Sequence, residues 1–154
     1  MENIEKSIRR QQDTTLVVME HYLFLSSRDS MDQHPSNAST DFTVELPKAY
    51  HFQGDWEIAL KELECRVAED LIYVLSDITA ESYVNGTLAP VLRSVRREKK
   101  RDALFTFTDP YYLPVRPDQL SRVRMFIRGR TLQPIKTDTT VVYCTLHLRR
   151  KTWM

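Results

Sequence analysis

Glycine is scarce in this chain, with three among 154 residues. That scarcity excludes the glycine-rich loops that cradle phosphates, and no G-x-G-x-x-G or G-x-x-x-x-G-K stretch occurs. Cysteine is scarcer still: Cys65 and Cys144 are too few for a disulfide framework. Both sit in strand-like runs, where a cysteine behaves as a small buried hydrophobe. Net charge is nearly absent, +1 from 22 basic and 21 acidic residues, so no global field drives the protein to DNA or an anionic membrane. No run approaches the roughly 20 apolar residues of a membrane-spanning helix. The opening Met-Glu-Asn-Ile-Glu-Lys lacks the apolar segment of a secretory signal. A soluble protein made in a reducing compartment is therefore expected, and the sequons Asn37-Ala-Ser39 and Asn85-Gly-Thr87 read as chance matches in turns.

Recognised arrangements of catalytic or metal-binding residues are missing too. His21, His34, His51 and His147 lack the short spacing to another His, Cys or carboxylate that marks a metal site. There is no His-x-His pair of the cupin kind and no G-x-S-x-G elbow. No cofactor is implied, and the expected work is not catalysis.

What is there is β pattern. Thr15-Leu-Val-Val-Met-Glu-His-Tyr-Leu-Phe-Leu25 reads as a central strand covered on both faces. Phe42, Val44 and Leu46 alternate with Thr43 and Glu45 until Pro47, which cannot donate to a ladder and is expected to end the strand. Trp56, Ile58 and Leu60 repeat the period-two pattern, and Leu71–Leu75 is a short apolar run. Asn85-Gly86 is a hairpin-turn signal. Val123, Met125 and Ile127 oppose Arg122, Arg124 and Arg128, while Cys144, Leu146 and Leu148 alternate with polar neighbours. These runs predict an all-β fold of about eight antiparallel strands. That is the content of a single jelly-roll β-sandwich, residues 14–154, preceded by a short N-terminal arm, residues 1–13. An immunoglobulin-like sandwich is the alternative, but Trp56 precedes both cysteines rather than lying between them. The expected core holds Phe42, Val44, Trp56, Ile58, Leu60, Met125, Ile127, Cys144 and Leu146.

Two surface features stand out. Arg93, Arg96, Arg97, Lys99, Lys100 and Arg101 form a basic loop between the runs 88–95 and 103–107. It reads either as a solvated hairpin tip or as a site for phosphates, an acidic partner or the nuclear import machinery. Asp109-Pro-Tyr-Tyr-Leu-Pro-Val-Arg-Pro117 is expected to be an extended surface loop. Its Tyr111 and Tyr112 either serve an interface or fold back to close one end of the sandwich. Ile4 and Ile8, apolar in a polar leader, are the matching interface candidates in the arm.

The stretch Ser36-Asn-Ala-Ser-Thr-Asp-Phe-Thr-Val-Glu-Leu-Pro47, followed by Gly54-Asp-Trp-Glu-Ile-Ala-Leu-Lys-Glu62, carries a resemblance. It reads as a strand pair, and it is similar to a pattern in virion proteins of Polinton/Maverick elements and adintovirus-like double-stranded DNA viruses. Phe107-Thr-Asp-Pro-Tyr-Tyr-Leu-Pro-Val115 and Leu146-His-Leu-Arg-Arg-Lys151 echo it more weakly. The resemblance implies a minor capsid, penton-like protein located in the virion capsid, made in the host cytoplasm, with assembly in the nucleus left open. Its expected partners are itself, as a pentamer, and a major capsid protein. The rival reading is a β-sandwich adaptor whose 93–101 loop contacts nucleic acid or an acidic partner.

Overall fold

The computed structural model describes residues 19–98, 103–136 and 141–151. Among these residues every regular element is a strand. They are β1 (Glu20–Ser26), β2 (Asp41–His51), β3 (Trp56–Glu64), β4 (Leu71–Ser76), β5 (Ser82–Val84), β6 (Thr87–Ala89), β7 (Val91–Arg96), β8 (Leu104–Thr106), β9 (Leu113–Pro114), β10 (Gln119–Arg128) and β11 (Tyr143–Arg150). One sheet runs β1-β11-β3-β8, with β9 also pairing β3; a second runs β2-β10-β4-β7; β5 and β6 form a separate pair. All pairings are antiparallel.

Alternation decides what lies between the sheets. Trp56, Ile58, Leu60 and Leu63 of β3, Leu146 and Leu148 of β11, and Leu23 and Leu25 of β1 point inward from the first sheet. They meet Phe42 and Val44 of β2, Val123, Met125 and Ile127 of β10, Ile72 and Val74 of β4, and Leu92 and Val95 of β7. The nine residues expected in the core are all buried there. Fully burying one such side chain contributes about 1.5–3 kcal/mol.

A second, smaller cluster explains why β4 is apolar on both faces. Leu75, on its outer side, packs with Val84, Ala89 and Val91 beneath the β5–β6 hairpin, flanked by Tyr73, Phe126 and Leu132. The hairpin turns through Asn85 (φ 49°) and Gly86 (φ 85°). Two successive positive φ values are what a type I′ turn requires, and Asn-Gly meets that requirement at little steric cost.

Several expectations need correction. The 15–25 run is not a central strand. Within the described residues β1 begins at Glu20, lies at a sheet edge, and leaves Tyr22 and Phe24 exposed. Pro47 does not end β2. Residues 46–49 bulge opposite Ser121, between the Arg122–Glu45 and Leu120–Tyr50 pairings, and a bulge on an edge strand tolerates a missing donor. The segments 36–47 and 54–62 are not a paired unit either, because β2 and β3 belong to opposite sheets. Likewise β7 and β8 lie in different sheets, so the basic segment between them is a crossover rather than a hairpin tip. The expected loop at 109–117 contains β9, and its Val115 N–H donates to Trp56 O at 2.9 Å. Against the expected eight or so strands, the described residues form eleven, with β9 inside the expected loop and the expected Asn85-Gly86 hairpin standing as a pair of its own, β5–β6.

Candidate interaction surface

The outer face of the first sheet carries a polar cluster built on His147. Because Cys144, Leu146 and Leu148 face inward, His147 and Arg149 must face out. His147 is nevertheless only 6% exposed. Its β-sheet neighbours are Tyr22 on β1 and Ala59 on β3. The Tyr22 ring stacks on the imidazole at 4.5 Å and 12°. Glu20 Oε2 lies 2.9 Å from Nε2, and the Tyr112 hydroxyl lies 2.7 Å from Nδ1. In the neutral tautomer that donates from Nε2 to the Glu20 carboxyl oxygen, Nδ1 accepts from the Tyr112 hydroxyl. The Arg149 guanidinium sits 3.4 Å over the Tyr112 ring, and its Nε–H donates to Glu57 Oε1 at 2.7 Å.

Burial pushes the Tyr112 hydroxyl above its ordinary pKa, with Arg149 opposing and Tyr22, Glu57 and Glu20 adding to the rise. Tyr112 therefore stays a phenol that donates a hydrogen bond, the opposite of an activated nucleophile. What this arrangement does is hold the 109–114 segment down on the sheet.

Tyr111 and Tyr112 thus part company. Tyr112 folds back, while Tyr111 remains 56% exposed with its ring 4.0 Å from the Arg93 guanidinium. Arg93 also stacks on Phe107 at 4.1 Å and donates to Asp109 O at 3.0 Å. It is a strand residue clasped by two rings rather than a member of a free basic loop. Arg97 is similarly engaged. Its guanidinium donates to the carbonyls of Val67 and Ala68, and its own N–H to Asp70 O. Arg96 closes β7 and is exposed. Lys99, Lys100, Arg101, Ile4 and Ile8 lie outside the described residues.

The arginines of β10 face out as expected, and each faces a carboxylate. Arg124 makes a two-pronged pair with Asp41 at 2.9 and 2.8 Å, Arg128 lies 3.8 Å from the same group, and Arg122 lies 3.4 Å from Glu45. Asp41 also raises the Arg124 pKa, chiefly through that hydrogen bond.

Both cysteines are buried free thiols, and desolvation pushes Cys144 up to about 12. Among the described residues no group of three or more His, Cys, Asp or Glu could hold a metal, and no helix is long and apolar enough to cross a membrane.

Apolar side chains stay exposed at several places, among them the paired Tyr83 and Leu88 of the β5–β6 hairpin, and one such surface lies beside a groove at β1. Phe24 is 75% exposed, Tyr22 47% and Tyr143 49%. Tyr22 and Phe24 line a groove of about 420 Å³ between β1 and β2, together with Leu23, Leu25, Val44, Leu46, Pro47 and Tyr50. A second hollow of about 330 Å³ adjoins it through Phe24, Leu25 and Asp29 and reaches Tyr143. Neither this patch nor the His147 cluster stood out in the sequence. The 15–25 run is apolar at almost every position, which hides its outer face. Glu20 and His147 are 127 residues apart, and Tyr112 and His147 are 35 apart. Comparison with protein-family models and with curated proteins found no match.

Proposed function

We propose that this chain is a structural virion protein, a single jelly roll acting as a penton-like minor capsid protein that assembles with itself and a major capsid protein. The observation that carries the reading is the order in which the strands pair. Setting aside the β5–β6 hairpin and β9, the first main strand pairs with the last (β1 with β11), the second with the second-last (β2 with β10), the third with β8 and the fourth with β7. A long antiparallel ribbon folded across itself in that order is the jelly-roll arrangement of two Greek keys. The resemblance of 36–62 to Polinton/Maverick and adintovirus-like virion proteins supports the same reading. So does the open aromatic surface on β1, since exposed apolar patches of this kind mark interaction sites. The protein's work on this reading is burial of surface against neighbours in the virion.

The rival, an adaptor gripping nucleic acid or an acidic partner through the 93–101 segment, loses support from the engagement of Arg93 and Arg97. The test is co-expression with a major capsid protein, followed by electron microscopy of the purified material. Closed rings of five copies, free or seated in a shell, are the expected result. A protein that stays monomeric at micromolar concentration and never joins the shell would refute the virion role.

A further inference from the structure

Among the described residues, three of the two sheets' edges are guarded and one is not. β8 has three residues, too short to template a partner. β2 carries Pro47, Lys48 and the 46–49 bulge. β7 carries Arg93 and Arg96. β1 has seven residues and, as assigned, no proline, lysine or bulge.

Its backbone is also presented for pairing. Arg150 N–H donates to Met19 O at 2.8 Å and Ser27 N–H to Val142 O at 2.9 Å. Odd-numbered residues of β1 therefore bond to β11, and Glu20, Tyr22 and Phe24 turn their N–H and C=O groups to the open side. A strand added there would extend the first sheet over the β1–β2 groove and point alternate side chains into it.

Resting on the reading that the protein assembles with itself, we infer that this edge and groove receive the N-terminal segment of a second copy, with Ile4 and Ile8 as its anchors. In an extended strand Ile4 and Ile8 would share one face, about 13 Å apart. Lys6, between them on that face, complements the Asp29 carboxylate, which lines the groove. Eighteen residues precede Met19. Fully extended they reach about 60 Å, against a breadth of roughly 20 Å for a four-stranded sheet. Returning to the chain's own β1 would take a reversal of direction between Arg9 and Met19. That stretch has no glycine, proline or asparagine, and Asp13 is its single turn-prone residue. A neighbour's edge is the easier target.

The experiment compares the full chain with a variant lacking residues 1–13 by sedimentation velocity. In parallel, a fluorescent peptide of residues 1–13 is titrated into both proteins. Circular dichroism confirms that each variant keeps its strands. The expected result is assembly of the full chain, at least ten-fold weaker assembly of the truncated one, and saturable peptide binding to the truncated protein. Binding should fall ten-fold or more with Phe24→Lys in the protein, or with Ile4→Ser and Ile8→Ser in the peptide. Equal assembly of both proteins with no peptide binding would overturn the inference and leave the virion reading standing. A monomeric full chain that excludes a peptide the truncated protein binds would place the arm on its own β1 and overturn the exchange between copies. A monomer with no peptide binding in either form would sink both ideas.

Discussion

The two outer faces of the sandwich are treated differently by the chain that makes them. On the second sheet, the β5–β6 hairpin covers Leu75 and forms a small core of its own, leaving its own Tyr83 and Leu88 exposed, and the arginines of β10 are matched by Asp41 and Glu45. On the first sheet, the cover stops halfway. Tyr112 lies over His147 and Arg149, but Tyr22, Phe24 and Tyr143 remain open to solvent. Apolar surface left uncovered by a chain that covers the equivalent surface elsewhere is surface available to a partner.

The largest expected effect comes from uncovering the closed face. Leu75→Ala leaves a cavity under the hairpin and should cost about 2–5 kcal/mol, read from urea unfolding. A cost below 0.5 kcal/mol would mean that the hairpin is not a stable cover. Next is the half-covered face. Tyr112→Phe keeps the ring under Arg149 but removes the donor to His147 Nδ1, leaving a buried acceptor unmet; about 1–2 kcal/mol should be lost. If stability is unchanged, the 109–114 segment is held by its backbone bonds to β3 alone.

A smaller loss, about 1 kcal/mol, is expected for Arg97→Ser, because its bonds to Val67 and Ala68 disappear. Serine at Arg96, Lys99, Lys100 and Arg101 together should leave the melting temperature nearly unchanged. Parity between the two variants would remove the distinction between a clamped and a solvated arginine. The smallest effect on folding belongs to the open face. Phe24→Ser should change stability by no more than about 0.5 kcal/mol, yet weaken assembly in sedimentation. A large stability loss would show that Phe24 is covered within its own subunit.

How much of this was legible beforehand depended on whether one face of a strand differed from the other. Where polar and apolar residues alternate, as in Phe42–Val44, Trp56–Leu60, Met125–Ile127 and Cys144–Leu148, the buried face could be read residue by residue and lies in the core. The Asn85-Gly86 turn was equally plain, since positive φ at two successive residues restricts the residue types. Continuous apolar runs gave no such guidance. Leu71–Leu75 is covered on both sides, whereas the described part of the 15–25 run is covered on one.

By itself, then, the sequence determined that the chain builds strands, which side chains the alternating strands bury, and where one hairpin turns. These are local properties, set by side-chain period and backbone torsion. Only the tertiary structure decided which sheet each strand joins, that β1 lies at an edge, that Arg93 and Arg97 are held by the fold, and that Glu20, Tyr112 and His147 meet. Period two says which face of a strand avoids water and nothing about its neighbour. Pairing across 35 or 127 residues is chosen by the burial of the whole sandwich at once.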